Sequence, residues 1–299
     1  MKILLTGGEG MLAKDFLSVL DQFPEFECYV PPREELDITN QDQVESIIKN
    51  YRPYILLNCA AYTKVDKAET ELSLAFHVNG ISVGKLAKAC HRSGVKIVHL
   101  STDFVFDGTQ GHPYAPDAEP NPLGVYGRSK LDGENAVIAA GGSSVILRTG
   151  WVYSRHGGNF VKTMLRLMAE REQLSVVEDQ IGTPTRARGL ALACWGLADH
   201  GDASGIYHWS DAGACSWYDF AVAIREIALE LGLLRQAATL LPIPASQYPT
   251  PARRPAYSVL DKTLTRKLLG HSGNHWTSQL RAMLVDLQQH EQQNEKQQP

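Results

Sequence analysis

The opening of the chain constrains its fold more than any other segment. Residues 2–5 form a short apolar run, and a glycine-rich segment with the sequence TGGEGMLA follows at residues 6–13. Residues 11–20 then carry the periodicity of an amphipathic helix. A strand, a glycine turn and a helix in this order favour a dinucleotide-binding fold, because small residues let the backbone approach a pyrophosphate and the helix start offers it free amides.

Short apolar runs continue to alternate with longer amphipathic segments through the first half of the chain. This pattern predicts strands at residues 2–5, 27–30, 54–58, 96–100 and 144–148, and helices at 11–20, 41–50, 72–93 and 127–139. Further on it predicts helices at residues 160–171, 190–198 and 217–231, and strands at 174–177 and 206–209. We therefore predict an α/β fold, a Rossmann-type doubly wound parallel sheet with a smaller, interleaved α/β substrate lobe.

The predicted elements divide the chain into two lobes and a tail. The dinucleotide-binding domain covers residues 1–152, and residues 192–222 return to it. The substrate lobe covers residues 153–191 and 223–287, with a proline-rich extended segment at 242–255. Residues 288–299, QQHEQQNEKQQP, have almost nothing apolar to bury, so we predict a disordered tail.

Composition excludes several other classes of protein. The 299 residues include 29 Lys and Arg against 33 Asp and Glu, and this net charge of −4 gives no global attraction to nucleic acid or an anionic membrane. Five cysteines without a C-x-x-C motif argue against a disulfide framework and a thiolate zinc site. No apolar run is long enough for a signal peptide or a membrane span, so we predict a cytoplasmic protein.

The segment after the second predicted strand, PPREELD at residues 31–37, bears on the choice of cofactor. A basic residue at this place binds the 2′-phosphate of NADP, whereas an acidic residue binds the 2′-hydroxyl of NAD. Arg33 favours NADPH, although the neighbouring Glu34 could neutralise it and an exposed arginine without a ligand is the alternative. We predict NADPH as the cofactor and leave NADH possible.

Tyr126 and Lys130 carry the strongest chemical signal in the sequence. Four residues apart on a predicted helix, they share one face. A phenol is a poor acid or base near neutral pH unless a neighbouring cation stabilises its phenolate. Thr102 lies at the carboxyl end of the fourth predicted strand, where ligands of such folds bind. A hydroxyl donor, a tyrosine acid and a lysine together suit the reduction of a carbonyl group.

Eight segments together resemble one enzyme family. They are TGGEGMLA at residues 6–13, NCAAYT at 58–63, VDKAE at 65–69, STDFVFDG at 101–108, YGRSK at 126–130, GWVY at 150–153, DQIGTPT at 179–185 and YPTPARRP at 248–255. The pattern is similar to that of the dTDP-4-dehydrorhamnose reductases, which are extended short-chain dehydrogenases/reductases. The resemblance covers nearly the whole chain, and the last two segments are its most specific part.

The resemblance implies roles for individual residues. Residues implied to bind the cofactor are Gly7, Gly10, Met11, Leu12, Asp37, Ile38, Ala61, Tyr62, Thr63, Tyr126 and Lys130, in addition to Arg33. Tyr126 is implied to be the proton donor as well. Thr102, Asp103 and Trp151 are implied to contact the sugar nucleotide, although a core aromatic is the alternative for Trp151.

Two departures from the family pattern affect what is expected of the substrate site and of assembly. Phe104 stands where the family commonly has tyrosine, so one hydroxyl contact to the sugar is absent. Some relatives dimerise through magnesium held by acidic side chains just after the P-T pair, but here Arg186, Ala187 and Arg188 follow Thr185. We therefore predict no metal site, and either a monomer or a homodimer that no metal bridges.

Two further pairs of residues are candidate binding sites. His271 and His275 have helical spacing, but the residues between them predict a loop and no third ligand stands nearby, so a zinc site is not expected. Arg253 and Arg254 could grip a diphosphate or simply be solvated, and the resemblance favours a place in the substrate pocket.

The sequence thus predicts a reductase that uses NADPH to reduce the C4 keto group of dTDP-4-dehydro-L-rhamnose. Two alternatives stay open. One is a reductase or epimerase of another nucleotide sugar, since the three catalytic candidates do not choose the sugar. The other is a non-catalytic NADP-binding regulatory subunit, against which the joint presence of Thr102, Tyr126 and Lys130 argues.

Overall fold

The computed structural model of the protein describes the backbone of residues 1–297 and the side chains of residues 1–290 and 292. The strands in this part of the chain are β1 (Lys2–Thr6), β2 (Glu27–Tyr29), β3 (Ile55–Asn58), β4 (Lys96–Thr102), β5 (Ser144–Thr149), β6 (Val152–Tyr153), β7 (Gln173–Val177), β8 (Ile181–Gly182), β9 (Thr185–Arg186), β10 (Gly205–His208), β11 (Cys215–Ser216) and β12 (Thr239–Ile243).

The α-helices are α1 (Met11–Ser18), α2 (Gln41–Tyr51), α3 (Val65–Ala68), α4 (Leu72–Phe76), α5 (Val83–Arg92), α6 (Val125–Ala140), α7 (Phe160–Glu170), α8 (Ala187–Asp199), α9 (Trp217–Glu230), α10 (Thr263–Leu269) and α11 (Trp276–Gln297). Polar side chains begin several of them. Asn40 caps α2 and Asn159 caps α7, and α9 starts with a capping box between Ser216 and Asp219.

The centre of the molecule is a six-stranded sheet in the order β10-β5-β4-β3-β1-β2, with every neighbouring pair parallel. Its four inner strands are short, largely apolar and buried, which is typical of a parallel sheet covered on both faces. Alternate residues of β1 point to opposite faces: Ile3 and Leu5 pack with α1 and α8, whereas Leu4 packs with α2 and α5. The prediction of a doubly wound, Rossmann-type sheet is confirmed.

A second hydrophobic cluster forms the smaller lobe. It gathers apolar residues of α7, α9 and α11 with those of β7 and β12, which pair with each other in parallel. Strand β10 returns to the central sheet beside β5, so the two lobes are interleaved along the chain. The helix that starts at Trp217 already packs in the second cluster, ahead of the boundary predicted at residue 223.

Two predicted segments differ from the structure. The helix predicted over residues 72–93 is interrupted by a π-helical stretch at His77–Ser82, between α4 and α5. Its backbone lies so close to α6 that a Cβ on Gly133 would stand 2.2 Å from the carbonyl oxygen of Asn79. The predicted disordered tail differs over residues 288–297, because α11 continues to Gln297; residues 298–299 of that tail lie outside the described part. No helix within residues 1–297 has the length and apolar character of a membrane span.

Candidate active site

The glycine turn joins β1 to α1 at the carboxyl edge of the sheet. Gly7 has a φ of +74°, and a Cβ there would lie 2.9 Å from the backbone nitrogen of Ala60, so only glycine fits. The Gly10 amide donates to the Gly7 carbonyl at 2.9 Å, which closes the turn directly before Met11. Met11 and Leu12 occupy the first turn of α1, whose amides have no partner within the helix. This cradle has the backbone shape and polarity that a pyrophosphate requires.

The loop after β3 lies against the glycine turn. The hydroxyl of Thr6 accepts from the amide of Ala60 at 3.3 Å and donates to the side chain of Asn58 at 2.6 Å. Ala61, Tyr62 and Thr63 continue this loop. Asn79 fixes it, because its side chain accepts from the Tyr62 amide at 2.8 Å and donates to the Tyr62 carbonyl at 3.0 Å. The loop is thus held beside the turn by side chains from both sides.

Arg33 and Asp37 meet beyond the end of β2. The Arg33 guanidinium lies 3.0 Å from a carboxylate oxygen of Asp37, and its side chain is 72% exposed. Burial alone would raise the pKa of Asp37, but hydrogen bonds from Thr39 and Arg33 outweigh it and lower that pKa. Ile38 is buried next to them. Arg33 therefore has Asp37 as its acidic partner, rather than the adjacent Glu34 that the sequence suggested.

Thr102 and Tyr126 come together at the carboxyl end of β4. The Thr102 hydroxyl accepts from the Phe104 amide at 3.2 Å, and Tyr126 stands on the first turn of α6 with its ring 5.8 Å from that of Phe104. Gly127 makes this approach possible, since a Cβ there would lie 2.2 Å from the Phe104 carbonyl oxygen. The close contact of helix and loop brings the two hydroxyl groups to one spot.

The environment of Tyr126 keeps its phenol protonated. Burial raises the pKa of Tyr126 to about 12; the nearby Asp103 carboxylate acts in the same direction, and hydrogen bonding with Thr102 acts against both. At neutral pH the side chain is therefore the uncharged phenol, which is the form that can give a proton.

Lys130 lies one turn after Tyr126 and is buried. Its ammonium donates to the Leu100 carbonyl of β4 at 2.6 Å. Burial lowers the pKa of Lys130 to about 8, and the carboxylate of Glu134 partly offsets that effect. Glu134 itself is paired with the buried Arg148, whose Nη2 lies 2.6 Å from it. With its pKa about 8, Lys130 is mostly the charged ammonium at neutral pH.

Asp103 and Trp151 line the same edge of the site. Burial raises the pKa of the Asp103 carboxyl to about 6, against hydrogen bonding with Ser258 and Thr102. Gly150 lies directly against this carboxylate, since a Cβ there would be 2.4 Å from it. Trp151 follows with a φ of +52°, which is unusual for a residue other than glycine and marks a strained backbone.

The two arginines that the sequence suggested for a diphosphate have different surroundings. Arg254 grips Asp66 with both Nη atoms, at 3.1 and 2.8 Å. Arg253 is exposed and makes no ion pair with any side chain that the structure describes. Of these two arginines, Arg253 is therefore the one whose guanidinium is available for an anion.

The two candidate places for a metal, the His271–His275 pair and the residues after Thr185, do not present a set of metal ligands. His271 packs against Trp209, while His275 bonds Thr277 at 2.8 Å. Among the side chains described, no three His, Cys, Asp or Glu residues come together as a metal would need. Arg186 forms an ion pair with Asp286 of α11, so it is engaged within its own chain.

Three further residues at this site were not predicted from the sequence. Asn79 bridges the loop after β3 to α6, where its side chain donates to the Ser129 hydroxyl at 2.9 Å. Trp217 stacks on Trp151 with a centroid distance of 3.4 Å. Glu69 accepts from the amide of Val125 at the start of α6. Only Glu69 carried a signal, as a member of the VDKAE segment.

The family model described as the RmlD substrate binding domain matches residues 1–289. This chain belongs to that family. The dTDP-4-dehydrorhamnose reductase of Aggregatibacter actinomycetemcomitans is 40% identical over 285 residues, which cover 94% of this chain and 97% of that protein. The dTDP-4-keto-6-deoxy-D-glucose reductase of Streptomyces niveus is 39% identical over 279 residues, which cover 93% of this chain and 94% of that protein.

A solved structure of the family is similar in fold along its whole length. It is a dTDP-4-dehydrorhamnose reductase of Bacillus anthracis in complex with NADP, with a TM-score of 0.88 and 37% identity, covering 95% of this chain and 99% of that chain. The resemblance stated from the sequence is confirmed.

Proposed function

We propose that this chain is a reductase that converts dTDP-4-dehydro-L-rhamnose and NADPH to dTDP-L-rhamnose and NADP, the last step of dTDP-rhamnose synthesis. The observation that carries the proposal is the approach of the Thr102 and Tyr126 hydroxyls at the carboxyl end of β4, one helical turn before Lys130, with the half-buried Tyr126 kept as a neutral phenol. Membership of the RmlD family supports the choice of a nucleotide sugar.

The cradle around Gly7 and Gly10 fits the pyrophosphate of the cofactor, because a side chain at Gly7 would fill it. Bound NADPH supplies the hydride. The first turn of α1, with Met11 and Leu12, holds the phosphates through its amides. Ala61, Tyr62 and Thr63 line the cofactor from the loop after β3. Arg33 faces the 2′-phosphate, and Asp37 and Ile38 flank the adenine.

The protein's own groups handle the proton and the carbonyl oxygen. Tyr126 gives its phenolic proton to the C4 oxygen as negative charge develops there. Thr102 donates a hydrogen bond to the same oxygen, which stabilises that charge. The ammonium of Lys130 holds the nicotinamide ribose and stabilises the phenolate that Tyr126 leaves behind. Asp103 and Trp151 contact the sugar nucleotide beside this centre.

The test follows NADPH absorbance with and without dTDP-4-dehydro-L-rhamnose. We expect oxidation only when the sugar nucleotide is present, and a faster reaction with NADPH than with NADH. A folded protein that binds NADPH but does not oxidise it with this sugar would instead indicate a regulatory subunit, and oxidation with another nucleotide sugar alone would indicate a different reductase.

A second candidate is reduction of dTDP-4-keto-6-deoxy-D-glucose. The relative of that name from Streptomyces niveus is almost as similar as the dTDP-4-dehydrorhamnose reductase described above. The two sugars differ in stereochemistry around the ring, so the same three catalytic groups would serve both. A comparison of kcat/KM for the two sugars separates the candidates.

We further propose a cytoplasmic protein that is a monomer or a homodimer without a bridging metal. All five cysteines are free, as in a reducing compartment. The engagement of Arg186 with Asp286 supports assembly without metal, because a guanidinium has no lone pair to give a cation.

A further inference from the structure

Helix α3 is a single turn, Val65–Ala68, that directly follows the loop after β3. It belongs to the VDKAE segment, which carries part of the family resemblance and has no role in the chemistry described above. This segment has two acidic residues, Asp66 and Glu69, and each binds a different neighbouring element.

Glu69 binds the start of the helix that carries Tyr126. Its carboxylate accepts from the amide of Val125 at 2.8 Å. The residue at the N-cap of α6 is Gly124, which has no side chain to cap the helix itself. A Cβ on Gly124 would lie 2.9 Å from the same carboxylate oxygen, so the glycine makes room for Glu69. A carboxylate at this end of a helix also interacts favourably with the helix dipole.

Asp66 binds the proline-rich segment of the substrate lobe. Its carboxylate accepts hydrogen bonds from both Nη atoms of Arg254 and, at 3.2 Å, from the amide of Ala252. The guanidinium of Arg254 holds the pKa of Asp66 below its usual value. The Arg254 and Asp66 side chains are 25% and 40% exposed, so solvent screens the ion pair and we expect it to contribute little to stability.

The segment that Asp66 holds packs against the residues that follow β4. A Cβ on Gly108, in the loop after β4, would lie 2.7 Å from the backbone nitrogen of Ala256. A few residues later, Ser258 hydrogen-bonds Asp103 next to Thr102. The exposed Arg253 lies within the same segment. The position of this segment relative to the hydroxyls of Thr102 and Tyr126 therefore depends on where Asp66 fixes its backbone.

We propose that α3 is a connector whose two carboxylates position the two halves of the site: Glu69 orients Tyr126 through the start of α6, and Asp66 orients the segment 252–258 that meets the substrate. The assignment of the substrate rests on the function proposed above. Both are positioning residues, since neither reaches the reacting atoms. Because the half-exposed pair of Asp66 and Arg254 adds little to stability, we infer that its role is to hold the backbone of the segment in place.

The proposal predicts different kinetic effects for the two positions. Glu69→Ala should lower kcat about tenfold with little change in the KM of the sugar nucleotide, because Tyr126 loses its orientation. Asp66→Ala should raise the KM of the sugar nucleotide about tenfold and leave the KM of NADPH unchanged. Glu69→Gln keeps an oxygen that accepts from Val125 and should recover most of kcat.

The matched control is Lys67→Ala, a change of an exposed side chain in the same turn. It should leave both kinetic constants at the wild-type values. If Glu69→Ala and Asp66→Ala lower kcat and raise KM to the same extent as each other, the two carboxylates do not act on separate halves and the proposal is wrong. Wild-type constants in either variant would also overturn it.

Hydrogen exchange of the free protein tests the connector independently of the substrate. Glu69→Ala should speed the exchange of the amides of residues 125 and 126, and Asp66→Ala that of residue 252, with Lys67→Ala unchanged. Unaltered exchange at these amides contradicts the connector. If the exchange changes as expected but wild-type protein does not reduce the sugar, the proposed function fails while the connector stands.

Discussion

Trp151 and Trp217 lie face to face, with ring centroids 3.4 Å apart and planes only 3° from parallel. Gly182 also lies against Trp151, since a Cβ there would be 2.4 Å from the indole. The strained backbone of Trp151 is held by the Thr185 amide, which donates to its carbonyl at 3.1 Å. A sugar nucleotide could reach the indole face that Trp217 occupies only by taking the place of Trp217.

The stacked pair should be visible by circular dichroism. Two parallel indoles in van der Waals contact couple their transitions, so we expect an exciton couplet in wild-type protein that both Trp217→Phe and Trp151→Phe remove. Trp209→Phe, outside the pair, is the control and should keep it. Loss of the couplet on addition of the sugar nucleotide would mean that Trp217 moves, whereas an unchanged couplet would mean that only the edge of the pair is used.

Tyr126→Phe should lower kcat by about 10²–10⁴-fold, because it removes the proton donor and leaves the helix unchanged. Cofactor affinity should stay near the wild-type value, measured by fluorescence titration with NADPH. Thr102→Val should lower kcat about 10²-fold, as expected for loss of one hydrogen bond to the developing charge. Normal turnover in folded Tyr126→Phe protein would refute the mechanism.

The lowered pKa of Lys130 should make the stability of the protein depend on pH. Burial lowers this pKa from 10.5 to about 8, so the charged ammonium is disfavoured in the folded protein. The resulting destabilisation is fully present below pH 8 and is relieved as the pH rises towards 10.5, because only the unfolded state binds the proton in that window. Lys130→Met should therefore stabilise the protein by about 1–3 kcal/mol at pH 7, with the gain shrinking at higher pH.

Denaturant unfolding of wild-type protein and Lys130→Met at pH 7, 8.5 and 10 measures this difference. The comparison cancels the titrating groups on which Lys130 has no effect, such as Asp103 and Asp211, whose pKa values burial raises. A variant that is less stable than wild-type protein at every pH would show that the hydrogen bond to Leu100 outweighs the cost of burying the charge.

Local patterns were sufficient to predict the central sheet and the common edge at which Thr102 and Tyr126 lie. The glycine turn, the apolar strands and the spacing of Tyr126 and Lys130 each depend on neighbouring residues. Because strands of a parallel sheet end at a common edge, the sequence also predicts Thr102 at the edge where Tyr126 lies.

Contacts between distant segments could not be predicted in the same way. Arg254 pairs with Asp66, which is 188 positions away in the chain, and the sequence around either residue does not indicate the other as its partner. The π-helical stretch lies where Asn79 closely approaches Gly133 on another helix, a contact that the local sequence does not reveal. The packing of Trp217 on Trp151 likewise depends on the interleaving of the two lobes. Helix α11 reaches Gln297 although its end has a polar sequence, which amphipathic pattern alone did not indicate.

The exposed Arg33 allows a sharp test of cofactor choice. If it meets the 2′-phosphate, Arg33→Ala should raise the KM of NADPH about tenfold or more and leave that of NADH nearly unchanged. The salt bridge to Asp37 would be lost with either cofactor, so it cancels in the comparison. Arg33→Lys is the conservative control and should show a smaller rise. Equal effects on both cofactors would make Arg33 a surface residue and leave Asp37 to govern the adenosine end.

Arg186 and Arg188 follow the P-T pair, where the family resemblance leads us to expect acidic ligands in a magnesium-bridged dimer, and Arg186 is already paired with Asp286 in its own chain. Guanidinium groups repel a divalent cation and cannot coordinate it, whereas magnesium requires oxygen ligands. EDTA should therefore neither inhibit the enzyme nor change its mass in solution. Light scattering at equal protein concentration, with magnesium and with EDTA, measures this. A dimer held by other contacts would persist in both buffers, whereas a chelator-induced shift from dimer to monomer that added magnesium reverses would prove that carboxylates elsewhere in the chain hold the metal.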